Sequence, residues 1–244
     1  MTRTRMCHGP MKAVVLCAGH ATRMRPLTYY VAKAMIPVAG RPILEHIVLK
    51  LRDHGLDEII VALSTLDDQV RHYFGDGARF GVRLAWSVSD RPLGTAGEVH
   101  NLHPMLAGEE HFLVHYGDIL TDLDTRRLVQ EHLAHAADAT LGLVTGVPVH
   151  TGIAELDRNG QVTSFVEKPP LYQPCNAAVF ALGKTALDLC APDRDFSTDV
   201  FPEMIARGMK VRGFVDERAY WLDVGRLSDL DSANELLGDE SRER

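Results

Sequence analysis

No apolar run in this chain approaches the roughly 20 residues that a bilayer-spanning helix needs, and residues 1–10 lack the apolar centre of a secretion signal. The expectation is a cytoplasmic protein that does not engage a membrane. Cysteine is scarce: the 4 cysteines, Cys7, Cys17, Cys175 and Cys190, include no C-x-x-C pair, which excludes a zinc ribbon and a disulfide framework. A basic excess is missing as well. The 26 Lys and Arg residues face 33 Asp and Glu, for a net charge of −7, the wrong balance for a nucleic-acid-binding surface. The 12 histidines form no H-E-x-x-H, and G-x-S-x-G does not occur, so a metalloprotease and a serine hydrolase have no support. The G-x-G-x-x-G fingerprint of a dinucleotide-dependent oxidoreductase is also absent. The first turn holds one glycine and two arginines, and the second strand ends Val61-Ala62-Leu63-Ser64 with no carboxylate for a ribose.

What is present is a globular composition, 45% apolar in 244 residues, enough for one large core. The spacing predicts strands over Lys12–Leu16, Glu58–Leu63, Val82–Trp86, Phe112–Tyr116 and Thr140–Val144, alternating with helices. The first helix starts at Pro42, carries Ile43, Leu44, Ile47, Val48 and Leu51 on one face and stops at Gly55. Asp67–Phe74, Thr95–Leu106 and Thr125–Ala137 are the next helices. After Gly146 two short strands, Ile153–Leu156 and Val162–Val166, are joined through Asn159-Gly160, a two-residue hairpin signal. A core strand over Asn176–Leu182, a helix over Thr198–Arg207, a strand over Lys210–Val215 and a helix over Leu227–Leu237 close the chain. The fold expected is α/β: a mostly parallel sheet flanked by helices, with a small antiparallel insertion. One domain spans 11–238 between tails at 1–10 and 239–244.

In such sheets ligands bind beyond the carboxyl ends of the strands, and the residues there are chemically complementary. Leu16-Cys17-Ala18-Gly19-His20-Ala21-Thr22 is a small-residue turn whose amides can cradle phosphates, and Arg23 and Arg25 follow it with guanidinium charge. Lys33 stands between apolar residues, outside any run of charge. Pro92-Leu93-Gly94-Thr95-Ala96-Gly97-Glu98 puts two glycines at a helix start, where backbone can pack on a nucleoside or donate to a phosphate. The buried strand ending Tyr116-Gly117-Asp118 delivers a carboxylate suited to magnesium, and Asp223 in Tyr220-Trp221-Leu222-Asp223 is a second acid among large apolar neighbours. Glu167-Lys168-Pro169 closes the insertion with an acceptor for hydroxyls and a cation for a phosphate.

The run Leu16 to Thr28 resembles L-A-x-G-x-G-T-R-x-x-P-L-T of the sugar-1-phosphate nucleotidyltransferases, and with the later motifs in the same order the resemblance extends from about Met11 to Leu237. It implies an α/β domain with a Rossmann-like sheet and the coupling of a nucleoside triphosphate to a sugar 1-phosphate, with release of pyrophosphate and Mg2+ as cofactor. It assigns Arg23, Lys33 and Asp118 to catalysis, and Asp118 and Asp223 to the metal. Leu16, Ala18, Gly19, His20, Ala21, Thr22, Pro92, Gly94 and Thr95 would bind the nucleotide, and Gly152, Glu167, Lys168 and Asn176 the sugar phosphate. The wording is most similar to short, stand-alone guanylyltransferases for mannose or heptose 1-phosphates, and a homo-oligomer is left open. The alternatives are a cytidylyl-, uridylyl-, thymidylyl- or adenylyltransferase on another sugar, cyclitol or choline phosphate, the last with an aromatic cage drawn from Trp86, Tyr172 and Trp221, or a non-catalytic nucleotide-binding relative. Among the departures from the motifs, Ala21 replaces the second turn glycine, Ala32 and Ala34 replace the prolines around Lys33, and Ile119 replaces the polar residue after Gly117-Asp118. A methyl at 21 either crowds the phosphates, shifts the backbone, or sits harmlessly at negative φ.

Overall fold

The computed structural model describes residues 11–19, 21–64, 68–149 and 151–242. In chain order the strands are β1 (Lys12–Leu16), β2 (Pro37–Val38), β3 (Arg41–Pro42), β4 (Glu58–Ser64), β5 (Arg83–Ser89), β6 (His111–Tyr116), β7 (Ile119–Thr121), β8 (Ala139–Val144), β9 (Val147–Pro148), β10 (Ile153–Leu156), β11 (Val162–Val166), β12 (Pro170–Leu171), β13 (Cys175–Gly183), β14 (Val211–Asp216) and β15 (Trp221–Asp223). The helices are α1 (Ile43–Asp53), α2 (Asp68–Phe74), α3 (Thr95–Asn101), α4 (His103–Leu106), α5 (Thr125–Ala134), α6 (Lys184–Leu187), α7 (Phe201–Ala206) and α8 (Leu227–Arg242).

Seven strands form one sheet in the order β14-β8-β13-β6-β1-β4-β5. All neighbours are parallel except β13, which runs antiparallel to both β6 and β8. Alternation along the central strands sends Ala13 and Val15 into one core with α1, and Val14 into the other with Phe112, Phe180 and Phe196. Each of those phenylalanines is fully buried, a gain of about 1.5–3 kcal/mol apiece. The mostly parallel sheet and the small antiparallel pieces match the expected fold class.

Several elements end elsewhere than the pattern predicts, each for a local reason. The helix expected over Thr95–Leu106 breaks at Leu102, because Pro104 in the first turn of α4 has no amide to continue it. The helix expected from Thr198 starts as a π turn over Phe196–Val200 before Pro202 opens α7. The β10–β11 hairpin is present, but its connection is Asp157–Gln161, longer than two residues. The Asp157 carboxylate accepts from the amides of Asn159 and Gln161, and Gly160 sits at φ 83°. α8 runs to Arg242, beyond the expected Leu237.

Parallel pairing brings the C-terminal ends of β1, β4, β5 and β6 to one edge of the sheet. Because β13 is reversed, its first residues, Cys175 and Asn176, arrive at the same edge beside Val144 and Leu143 of β8. The small β7–β15 ribbon pairs Asp223 with Ile119 there too.

Candidate active site

Glycine 117 explains how two strand ends come together. A Cβ there would lie 2.2 Å from Cys17 Sγ and 2.7 Å from the Leu16 carbonyl, so only glycine lets β6 close onto the end of β1. The Gly117 amide donates to that Leu16 carbonyl at 2.8 Å. Asp118 follows immediately, and its Oδ2 accepts from Lys33 Nζ at 2.7 Å. Both side chains are largely shielded, 14% and 32% exposed. The short 3-10 turn Lys33–Met35, anchored by the buried Ala34, presents the lysine.

Asp223 joins them from β15. The amide of Val224 donates to the Asp118 carbonyl at 2.9 Å, which fixes the two carboxylates on neighbouring segments. Burial, then the negative charge of Asp118, pushes the Asp223 carboxyl above the usual carboxylate range, while Lys33 and Arg23 pull it back. Its Oδ1 is buried with no hydrogen-bond partner. An acceptor left unpaired inside a protein costs roughly 1–3 kcal/mol, and here it belongs to a carboxylate that also feels the charge of a second one, Asp118.

The turn between β1 and the 3-10 helix Thr22–Met24 carries the phosphate-binding expectation. Ala18 is buried and Gly19 exposed with open space where a Cβ would stand; His20 lies outside the described residues. Ala21 adopts φ 45°, ψ 41°, which is the left-handed conformation and not the negative φ that would make its methyl harmless. The backbone holds it there: the Ala21 carbonyl accepts from the amide of Met24 and from Thr28 Oγ1, each at 3.0 Å. Arg23 is exposed, and Arg25 lies over the ring of Tyr29 at 4.9 Å.

On the far side of the edge, the loop Pro92–Thr95 is the second expected nucleotide contact. Three amides at this helix start are taken: Thr95 donates to Asp195 Oδ1 at 2.8 Å, and Ala96 and Gly97 donate to the Arg194 carbonyl at 3.0 and 3.2 Å. What the loop has left to offer is mainly packing against a nucleoside. Gly94 at φ 76° is obligatory, since a Cβ would meet the Arg194 carbonyl at 2.4 Å. Sequence reasoning passed over residues 193–196, although Asp195 followed by Asp199 before an apolar stretch is a readable helix-start signal; the Asp195 amide donates to Asp199 Oδ2 at 2.8 Å.

The expected sugar subsite lies on and beside the hairpin. A Cβ on Gly152 would strike Phe165 Cζ at 2.3 Å and Glu167 Oε2 at 2.9 Å, so Gly152 and Glu167 are neighbours. Lys168 is exposed at φ 48°. Asn176 precedes a bulge in β13 at which pairing shifts between Asn176 and Phe180. Its Oδ1 accepts from the Ala178 amide at 2.9 Å, with Ala178 at φ 56°, and Trp221 Nε1 donates to the Ala177 carbonyl at 3.2 Å. Such bulges re-aim a side chain at a strand end.

A family model described as nucleotidyl transferase matches residues 12–240. The chain is 34% identical over 225 residues to a mannose-1-phosphate guanylyltransferase of Mycobacterium tuberculosis, covering 89% of this chain and 62% of that protein. It is 32% identical over 241 residues to a UTP–glucose-1-phosphate uridylyltransferase of Synechocystis, covering 90% and 61%. It thus spans about three-fifths of the length of these relatives. The crystal structure of HddC from Yersinia pseudotuberculosis superimposes with a TM-score of 0.74 at 25% identity, covering 93% of this chain and 99% of that one. HddC has also been solved complexed with GMP-PN.

Proposed function

We propose that this chain, which belongs to the nucleotidyl transferase family, joins a nucleoside triphosphate to a sugar 1-phosphate, releasing pyrophosphate and an NDP-sugar. The observation that carries the reading is the cluster of Lys33, Asp118 and Asp223 at the end of β6, beside a phosphate-type turn and its Arg23. A phosphate oxygen of the sugar phosphate is already an anion, so its attack on the α-phosphorus needs no general base. Catalysis is positioning plus neutralisation of charge. Arg23, next to the turn, offsets charge on the departing pyrophosphate, and Lys33 does the same for the phosphates at the reacting centre. Glu167 and Asn176 accept or donate to sugar hydroxyls, and Lys168 holds the sugar phosphate.

The two carboxylates fit Mg2+: hard oxygens on segments joined by the Val224–Asp118 backbone bond, one of them buried and unpartnered, with the remaining ligands left to substrate phosphates. Magnesium held by Asp118 and Asp223 would supply charge neutralisation at the phosphates. A guanine nucleotide with a mannose- or heptose-type sugar is the preferred pair, supported by the guanylyltransferase relative and by the GMP-PN complex of HddC. The test is pyrophosphate release from purified protein with each common nucleoside triphosphate against a panel of sugar 1-phosphates. GTP with a mannose- or heptose-type acceptor should be fastest; turnover with another base corrects the substrate, and no turnover with any pair rejects the reaction.

A further inference from the structure

The loop Pro92–Thr95 is gripped from both sides. Behind it, the buried Glu98 of α3 accepts from Ser89 Oγ at 2.9 and 3.1 Å and from the amide of Leu93. In front, residues 193–196 contact it at successive positions: Arg91 pairs with Asp193 at 2.6 Å, the Asp193 amide donates to the Leu93 carbonyl at 2.7 Å, and the Phe196 amide donates to Thr95 Oγ1 at 2.9 Å. Asp195 is the hinge of this arrangement, because one carboxylate oxygen takes both the amide and the hydroxyl of Thr95, at 2.8 and 2.9 Å. Among the described residues, the Gly94 amide is left with no hydrogen bond in a stretch whose Leu93, Thr95, Ala96 and Gly97 amides are all spent.

We infer that Asp195 is a positioning residue for the nucleotide subsite, setting through Thr95 the shape of the Pro92–Thr95 backbone that receives the nucleoside. The inference rests on the proposal that this loop binds the nucleotide. A loop with so few free polar groups recognises its ligand by shape, and shape here depends on the Asp195–Thr95 contact. Asp195 is itself exposed, so its removal leaves no cavity and a change in binding can be read without a change in fold.

The experiment compares wild type, Asp195→Ala and Asp195→Asn in steady-state pyrophosphate release, with a thermal melt of each. Losing hydrogen bonds to a charged acceptor predicts a rise of about tenfold in the nucleotide KM of Asp195→Ala. The sugar-phosphate KM, kcat and the melting midpoint should stay close to wild type. Asp195→Asn keeps an oxygen in place for Thr95 and should restore the nucleotide KM. An unchanged nucleotide KM, or a parallel decline of kcat and both KM values, overturns the inference while leaving the proposed reaction standing. If wild type turns over no nucleotide, calorimetric titration with GTP separates the two claims. Binding about tenfold weaker in Asp195→Ala than in wild type supports the positioning role without the reaction, and equal or absent binding overturns it.

Discussion

Asp118, proposed to hold the metal, and Glu167, proposed to hold the sugar, are both carboxylates, yet they sit in opposite kinds of surroundings. Asp118 follows a strand whose Phe112, Leu113, Val114 and His115 are buried, is tied to Lys33 at 2.7 Å, and has strands β1 and β13 on either side of its own. Glu167 follows a two-stranded hairpin that, among the described residues, pairs with no further strand, and whose Ile153, Leu156, Val162, Phe165 and Val166 are all exposed. An isolated hairpin is marginal in water. On the proposed reading, the phosphate end of the site is therefore held in place by the core before any ligand arrives, whereas the sugar end is built on a segment with little packing of its own. The division suits the chemistry: charge at a reacting phosphorus is best met by groups already in place, and an acceptor is better gripped by an element free to adjust.

The largest effect should follow from striking the preorganised half. Asp118→Asn keeps the shape but halves the carboxylate pair, and kcat should fall by at least about 10³-fold with the melting curve nearly unmoved. Retained magnesium-dependent turnover would remove Asp118 from the metal and dissolve the contrast between the two halves. Lys168→Ala strikes the other half, where a single exposed cation is at stake. The expected result is a sugar-phosphate KM higher by about 10- to 100-fold with the nucleotide KM unmoved, and the reverse pattern would exchange the two subsites.

The halves should also part company in acid. His115 and His132 are 3% and 0% exposed, each lowered from 6.5 to about 4, chiefly by burial, with the nearby His111 adding to the effect on His132. The unfolded chain binds protons on these rings between those values and the folded chain refuses them. The stability they support is complete above about pH 6.5 and is lost as the pH falls towards 4, at roughly 1 kcal/mol per pH unit for each ring. Urea unfolding at pH 7.5 and 5.0 measures it; equal stability at the two values would mean that the core opens to protonate them. The described residues of β10 and β11 contain no histidine, so a probe on Phe165 should report no separate step in this window.

What could be read in advance follows the same line. Strands β1, β4, β6 and β8 were legible to within one or two residues because burial on both faces leaves a mostly apolar run. The direction of β13 was not, because its run Ala177–Leu182 is equally apolar whichever way it enters the sheet. Asp118, Asp223 and Lys33 stood out as charges among apolar residues. The latch at 193–196 did not, because Asp193, Arg194 and Asp195 look like an ordinary solvated loop until the Pro92–Thr95 backbone is placed against them. The Ala178 bulge that turns Asn176 has no glycine to announce it.

Ala21 gives the smallest expected effect and the sharpest probe of the preorganised half. A non-glycine residue in the left-handed region costs about 1 kcal/mol. Here it is held at φ 45° by two hydrogen bonds to its carbonyl, from Met24 and Thr28. Glycine at 21 would relieve that strain but return freedom to the unfolded chain, a cost of roughly 0.4–1 kcal/mol. The two nearly cancel, so Ala21→Gly should move the melting midpoint by no more than about 3 °C. Because the carbonyl contacts already impose the turn, the nucleotide KM should stay within about twofold of wild type. A tenfold fall in that KM would mean instead that the methyl stands where the phosphates go, and that the turn, unlike Asp118 and Lys33, is not ready for its ligand.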